Sequence, residues 1–143
     1  MIKCDTNRGE IRTIGYMSHK TITHATSQGI TVGDATITIS DDRLRRMLKP
    51  KKRRSGKALV PDVELLKLPH HVANPKAILW SKKDKSVLYV FDTKGQAETA
   101  GKFIVKLNFK QSSDISNSVR SSGVVSLRNL KDKNAYEVID GEL

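Results

Sequence analysis

The segment Gly101–Gln111, with the sequence GKFIVKLNFKQ, alternates between two kinds of side chain and decides the fold. One face would carry Phe103, Val105, Leu107 and Phe109, and the other Ile104, Lys106, Asn108 and Lys110. A period of two in β-branched and aromatic residues is typical of a strand with one buried face. We therefore expect this segment to be the central strand. The face of Lys106 and Asn108 is either solvated or the floor of a polar site.

The charge balance points to a polyanionic partner. The chain has 143 residues, which predicts one domain able to bury a real core. It contains 26 Lys and Arg against 15 Asp and Glu, which gives a net charge of +11. Such an excess favours nucleic acid or an acidic protein surface as a partner, although solubility alone would also explain it.

Several functional classes are disfavoured by composition. A single cysteine, Cys4, excludes an intrachain disulfide and a cysteine-based zinc site. No apolar run approaches the roughly 20 residues of a membrane-spanning helix. The N-terminus lacks the apolar core of a secretion signal. We expect no metal and no cofactor.

The N-terminal part is expected to contain short elements. Residues 1–35 are predicted to be an extension or linker, with a weak helix over 18–28 that Ser18 caps. Alternation predicts a strand over 35–40. Asp41 and Asp42 would then cap a helix over 43–49.

Positive charge is concentrated between residues 43 and 57. The basic side chains there are Arg43, Arg45, Arg46, Lys49, Lys51, Lys52, Arg53, Arg54 and Lys57. These nine residues leave 17 Lys and Arg against 15 Asp and Glu elsewhere. Such a stretch binds phosphates with little sequence selectivity. A solvated loop and a nuclear-localisation signal are alternatives.

The second half is expected to be rich in strands. A helix over 60–68 would end at Pro69, and His70 and His71 would lie in the following turn. Strands over 77–80 and 86–91 form a predicted hairpin. The central strand, an alternating strand over 115–125 and a last strand over 135–139 follow. Helices first and then a meander of strands predict an α+β domain.

Four blocks of this half resemble a known family. They are PDVELLKLPHHVANPKAILWSKKDKSVLYVF, GKFIVKLNFK, NSVRSSG and AYEVIDGEL. Their order and spacing resemble the phage domain of the barnase–EndoU–colicin–RelE-like nucleases, found at the C-terminus of Mu-like F-type head-morphogenesis (minor capsid) proteins or as a toxin module. The resemblance covers residues 39 to 143 and implies a nuclease domain over 36–143.

The resemblance implies both a fold and a reaction. The fold would be N-terminal helices packed on a four- to five-stranded antiparallel sheet. The reaction would be metal-independent RNA cleavage, in which the ribose 2′-hydroxyl attacks the phosphate and leaves a 2′,3′-cyclic end. This chemistry needs a proton acceptor, a proton donor and cations that stabilise the phosphorane.

Candidate residues follow from that analogy. The catalytic candidates are Arg120, Tyr136, Lys52 and Lys106. The substrate-binding candidates are Arg46, Arg53, Arg54, Lys57, Asn108, Ser118 and Ser121. No histidine falls in the helix, the central strand or NSVRSSG, so the usual histidine acid–base pair is missing.

Two functions therefore stay open. One is a toxin-like ribonuclease of phage or prophage origin. The other is a non-catalytic module of a head-morphogenesis protein that binds nucleic acid or capsid proteins. The implied partners are RNA or another polyanion, capsid or portal proteins, and an acidic immunity protein. The implied location is the virion or the bacterial cytoplasm.

Overall fold

A computed structural model of the chain describes residues 11–48, 67–92, 98–111 and 114–143. These ranges contain seven strands and four helices. The strands are β1 (Ile11–Tyr16), β2 (Thr36–Ser40), β3 (Ala77–Ser81), β4 (Ser86–Asp92), β5 (Thr99–Gln111), β6 (Asp114–Ser126) and β7 (Tyr136–Gly141). The helices are α1 (His19–Ser27), α2 (Asp41–Leu48), α3 (Leu68–Ala73) and α4 (Leu127–Leu130).

All seven strands form one mixed sheet in the order β1-β2-β6-β5-β4-β3-β7. The pairing of β2 with β6 is parallel, and the other pairings are antiparallel. The strand β5 lies fourth of seven, so the predicted central strand is central. The predicted four- to five-stranded antiparallel sheet behind N-terminal helices is wrong, because β1 and a parallel β2–β6 pair extend the sheet.

The strand β1 lies at one edge of the sheet and pairs antiparallel with β2. The predicted cap of α1 is present, since Ser18 Oγ accepts a hydrogen bond from the Thr21 amide at 3.3 Å. The segment from β1 to the end of α1 contributes Met17 and Ala25 to the larger of the two hydrophobic cores. The division of the chain at residue 35 stays a prediction, and the residues before it pack on the same sheet as those after it.

The strands β3 and β4 are buried on both faces of the sheet. The larger core includes Trp80, Tyr89 and Phe103 beneath α1 and α3. The smaller core on the other face includes Leu79, Leu88 and Leu130. Continuous apolar runs such as AILW and VLYVF are typical of strands covered on both faces.

A β-bulge interrupts the alternation of β5. The register shifts between Lys106, which pairs with Ser118, and Phe109, which pairs with Ser116. Asn108 supplies the change of direction with a φ of 51°. The predicted faces therefore hold only up to Leu107. Phe103 and Val105 are fully buried, whereas Phe109 leaves their face.

Two helix boundaries differ from the predicted ones. The helix α2 begins at Asp41 and is capped by Ser40, whose Oγ accepts from the Arg43 amide at 3.1 Å. Pro69 lies in the first turn of α3, where proline is well tolerated, and the helix predicted over 60–68 falls almost entirely outside the described residues. His70 and His71 therefore lie in α3. No helix in the described ranges is long and apolar enough to cross a membrane.

Candidate nucleic-acid interface

Arg120 occupies a bulge in β6. Val119 pairs with Val105 and Ser121 pairs with Ile104, so Arg120 between them has no partner on β5. Bulges re-aim a side chain away from the regular alternation and are common beside functional sites. Here the bulge allows the Arg120 side chain to turn back along its own strand.

Two contacts fix the Arg120 guanidinium on the sheet. Its Nη1 donates a hydrogen bond to Ser118 Oγ at 3.5 Å. Its Cζ lies 4.1 Å from the centroid of the Phe109 ring on β5. A cation over an aromatic face contributes roughly 0.5–1 kcal/mol at an exposed site. The guanidinium is therefore held over the ring, and among the described residues Ser118 is the hydrogen-bond partner of Arg120.

The helix α2 brings two further guanidinium groups toward Arg120. Arg43 and Arg46 are three residues apart, which places them on one face of the helix. Arg46 forms an ion pair with Asp42 at 3.3 Å. Within the described ranges, no carboxylate lies within salt-bridge distance of Arg43 or Arg120. We call Arg43, Arg46 and Arg120 the arginine cluster.

The mutual repulsion in the arginine cluster affects Arg120. Partial burial lowers the pKa of its guanidinium, and the positive charges of Arg43 and Arg46 lower the pKa further. A guanidinium nevertheless stays protonated at neutral pH. Three like charges, with Asp42 as the one carboxylate of the described ranges that contacts them, favour an external anion.

Polar residues surround the arginine cluster on the sheet. Exposed Lys106 pairs with Ser118 across β5 and β6, and Thr38 pairs with Ser118 across β2 and β6. Paired residues point to one face of a sheet. Thr38 Oγ1 and Ser116 Oγ are 2.8 Å apart and share a hydrogen bond. The sheet beneath Arg120 is therefore lined by hydroxyl groups.

The other candidates lie elsewhere. Tyr136 is on β7, four strands from β6, and a spacing of about 4.8 Å per strand separates them by about 19 Å. It packs on the smaller core. Ser121 is partly buried opposite Ile104. The candidates Lys52, Arg53, Arg54 and Lys57 fall outside the described residues.

Asn108 has a structural role, and its predicted contact with substrate stays a prediction. Its Oδ1 accepts from the Gly33 amide at 3.2 Å, and its Nδ2 donates to the Thr31 carbonyl at 2.9 Å. Its own amide donates to Asn117 Oδ1 at 3.2 Å. Asn108 therefore ties the β5–β6 hairpin to the segment before β2.

Sequence reasoning missed two participants in this site. Arg43 was part of the basic stretch, but it was not chosen as a site residue. Its spacing of three from Arg46 was the available signal. Phe109 was assigned to the core because its bulge has no signature in the alternation of β5.

The described site has the chemistry of an anion-binding site. It offers guanidinium groups and hydroxyls, with Lys106 beside them, and it lacks Tyr136. No protein-family model, no curated protein and no solved structure matches this chain. The resemblance to the phage nuclease domain stays a prediction, and function rests on the geometry of the site.

Proposed function

We propose that this chain binds nucleic acid through phosphate contacts of the arginine cluster, without cleaving it. The observation that carries the proposal is the gathering of Arg43, Arg46 and Arg120 with Asp42 as the one described carboxylate in salt-bridge contact. Guanidinium groups suit this task because they stay charged and donate several hydrogen bonds in a plane to phosphate oxygens.

The total charge supports a polyanion as the ligand. With a net charge of +11, the chain as a whole attracts nucleic acid, and the arginine cluster offers a place for its phosphates. Exposed Lys106 extends the positive surface onto β5. Contacts of this kind position a nucleic acid but do not read its sequence.

Among the catalytic candidates, the position of Tyr136 favours binding over cleavage, whereas Lys106 lies beside the arginine cluster and Lys52 falls outside the described residues. Transfer of the 2′-hydroxyl proton needs a side chain within hydrogen-bond reach of the reacting ribose. Tyr136 lies about 19 Å from the strand of Arg120 by strand spacing. A binding module of a phage head protein is the second function that the resemblance implied, and it needs no such proton transfer.

The test is binding of a short labelled RNA, measured by fluorescence anisotropy. The double variant Arg43→Gln/Arg120→Gln should weaken binding about tenfold or more, since two phosphate contacts are lost. Arg128→Gln on α4 removes a charge outside the arginine cluster and serves as the matched control. Equal losses in the double variant and the control would refute the assignment.

The same RNA, incubated with the protein and EDTA, tests the alternative. Intact RNA is expected. Products with 2′,3′-cyclic ends, absent with the Arg120→Gln protein, would instead support the metal-independent ribonuclease.

A further inference from the structure

The stacked pair of Arg120 and Phe109 offers more than charge. The Arg120 Cζ lies over the ring, 4.1 Å from its centroid, and the guanidinium also donates a hydrogen bond to Ser118 Oγ. A distance of 4.1 Å allows one face of the guanidinium to stack on the Phe109 ring. Because Arg120 is only partly buried, the opposite face can receive another flat group.

From this geometry, and resting on the proposed function, we propose that the site takes single-stranded nucleic acid. An unpaired base would stack on the Arg120 guanidinium above Phe109, while neighbouring phosphates bind the edge of the same guanidinium and the side chains of Arg43 and Arg46. Arginine planes and aromatic rings are the usual platforms for unpaired bases. In a duplex both faces of each base are covered by neighbouring bases, so no face is left for this platform.

The charge arrangement supports the same conclusion. Arg120 is held by Ser118 and Phe109 at the sheet surface, whereas Arg43 and Arg46 project from α2. The stacking surface thus lies on β6, and two of the three phosphate-binding groups come from a different element, α2. A single strand that crosses this site presents bases and phosphates separately, as the arrangement requires.

The experiment compares four ligands of equal length and equal phosphate number. They are single-stranded RNA, single-stranded DNA, duplex DNA and single-stranded DNA in which tetrahydrofuran spacers replace the bases. We expect at least one of the normal single strands to bind about tenfold more tightly than the abasic strand. The duplex should bind more weakly than the better single strand at the same salt concentration.

Two variants locate the effect. Phe109→Leu should reduce the preference for normal over abasic strands and leave the salt dependence unchanged. Arg120→Lys keeps the charge but loses the planar guanidinium. It should therefore reduce the preference for normal over abasic strands, and it tests the inference even if Phe109→Leu fails to fold. Melting curves of both variants check the fold.

The outcomes separate this inference from the proposed function. Equal binding of abasic and normal strands, or tighter binding of the duplex, would overturn the single-strand inference and leave phosphate binding intact. Loss of the preference in both variants supports the stacking platform. Binding of none of the four ligands would overturn both.

Discussion

Asn108 gives a stability prediction that reverses the usual order of substitutions. In the interior of an ordinary strand, a protein with glycine is less stable than the same protein with alanine by roughly 0.5–1 kcal/mol. At Asn108 we expect the opposite, because its φ of 51° lies in the left-handed region. Glycine adopts this region without strain, whereas a residue with a Cβ does so at a cost of about 1–2 kcal/mol.

The magnitude follows from the contacts of the side chain. Asn108→Ala loses the hydrogen bonds to Gly33 and Thr31, each worth about 1 kcal/mol. Backbone strain adds about 1 kcal/mol, so the free energy of unfolding should fall by about 3 kcal/mol. Asn108→Gly loses the same bonds without the strain and should cost about 2 kcal/mol.

Urea unfolding followed by circular dichroism measures both variants. Lys110→Ala on the same strand is the control and should change the free energy of unfolding by less than about 0.5 kcal/mol. An Asn108→Ala protein as stable as Asn108→Gly, or as stable as wild type, would refute the structural role of Asn108.

Two further pairs of variants test the fold. Val105 is fully buried and Lys106 is exposed, so Val105→Asp should prevent folding while Lys106→Ala leaves the melting temperature nearly unchanged; similar losses would contradict the assignment of faces. The buried hydroxyl of Tyr89 has no hydrogen-bond partner within the described ranges, and Tyr89→Phe should therefore raise the free energy of unfolding by about 1 kcal/mol. Burial also raises the pKa of Tyr89, so ionisation favours the unfolded state above about pH 10. Tyr89→Phe should then lose less stability than Tyr136→Phe as the pH rises beyond that value, and an equal loss would argue against the burial of Tyr89.

Local patterns in the sequence were sufficient to predict the strands in the middle of the sheet. Alternation in β5 and the apolar runs of β3 and β4 predicted three neighbouring strands, because each pattern reflects burial that the strand itself must satisfy. Ser18 as the cap of α1 was also readable, since a cap depends on residues close in sequence.

The strands near the edge of the sheet could not be predicted from local patterns. The strand β1, with the sequence IRTIGY, has no regular alternation of apolar and polar residues, and its partner β2 follows only after α1. The parallel pairing of β2 with β6 joins residues about 80 positions apart, such as Thr38 and Ser118. No local pattern carries such a pairing, so the predicted meander contained too few strands.

The candidate site was predictable only in part. Lys106, Ser118 and Arg120 do lie near one another, because period two and an antiparallel hairpin are local features. The position of Tyr136 depends on strand order, which placed β7 beside β3. The two bulges, at Arg120 and before Phe109, shift side chains by one position. The alternation of apolar and polar residues in the sequence does not indicate where these bulges occur.

The salt dependence of RNA binding tests the central claim most directly. Each phosphate contact with a single strand contributes about −0.7 to the slope of log K against log salt concentration. Measured between about 50 and 200 mM salt, the Arg43→Gln/Arg120→Gln protein should show a slope shallower than wild type by about 1.4. A slope equal to that of wild type, with Arg128→Gln as the matched control, would show that the arginine cluster does not bind the phosphates.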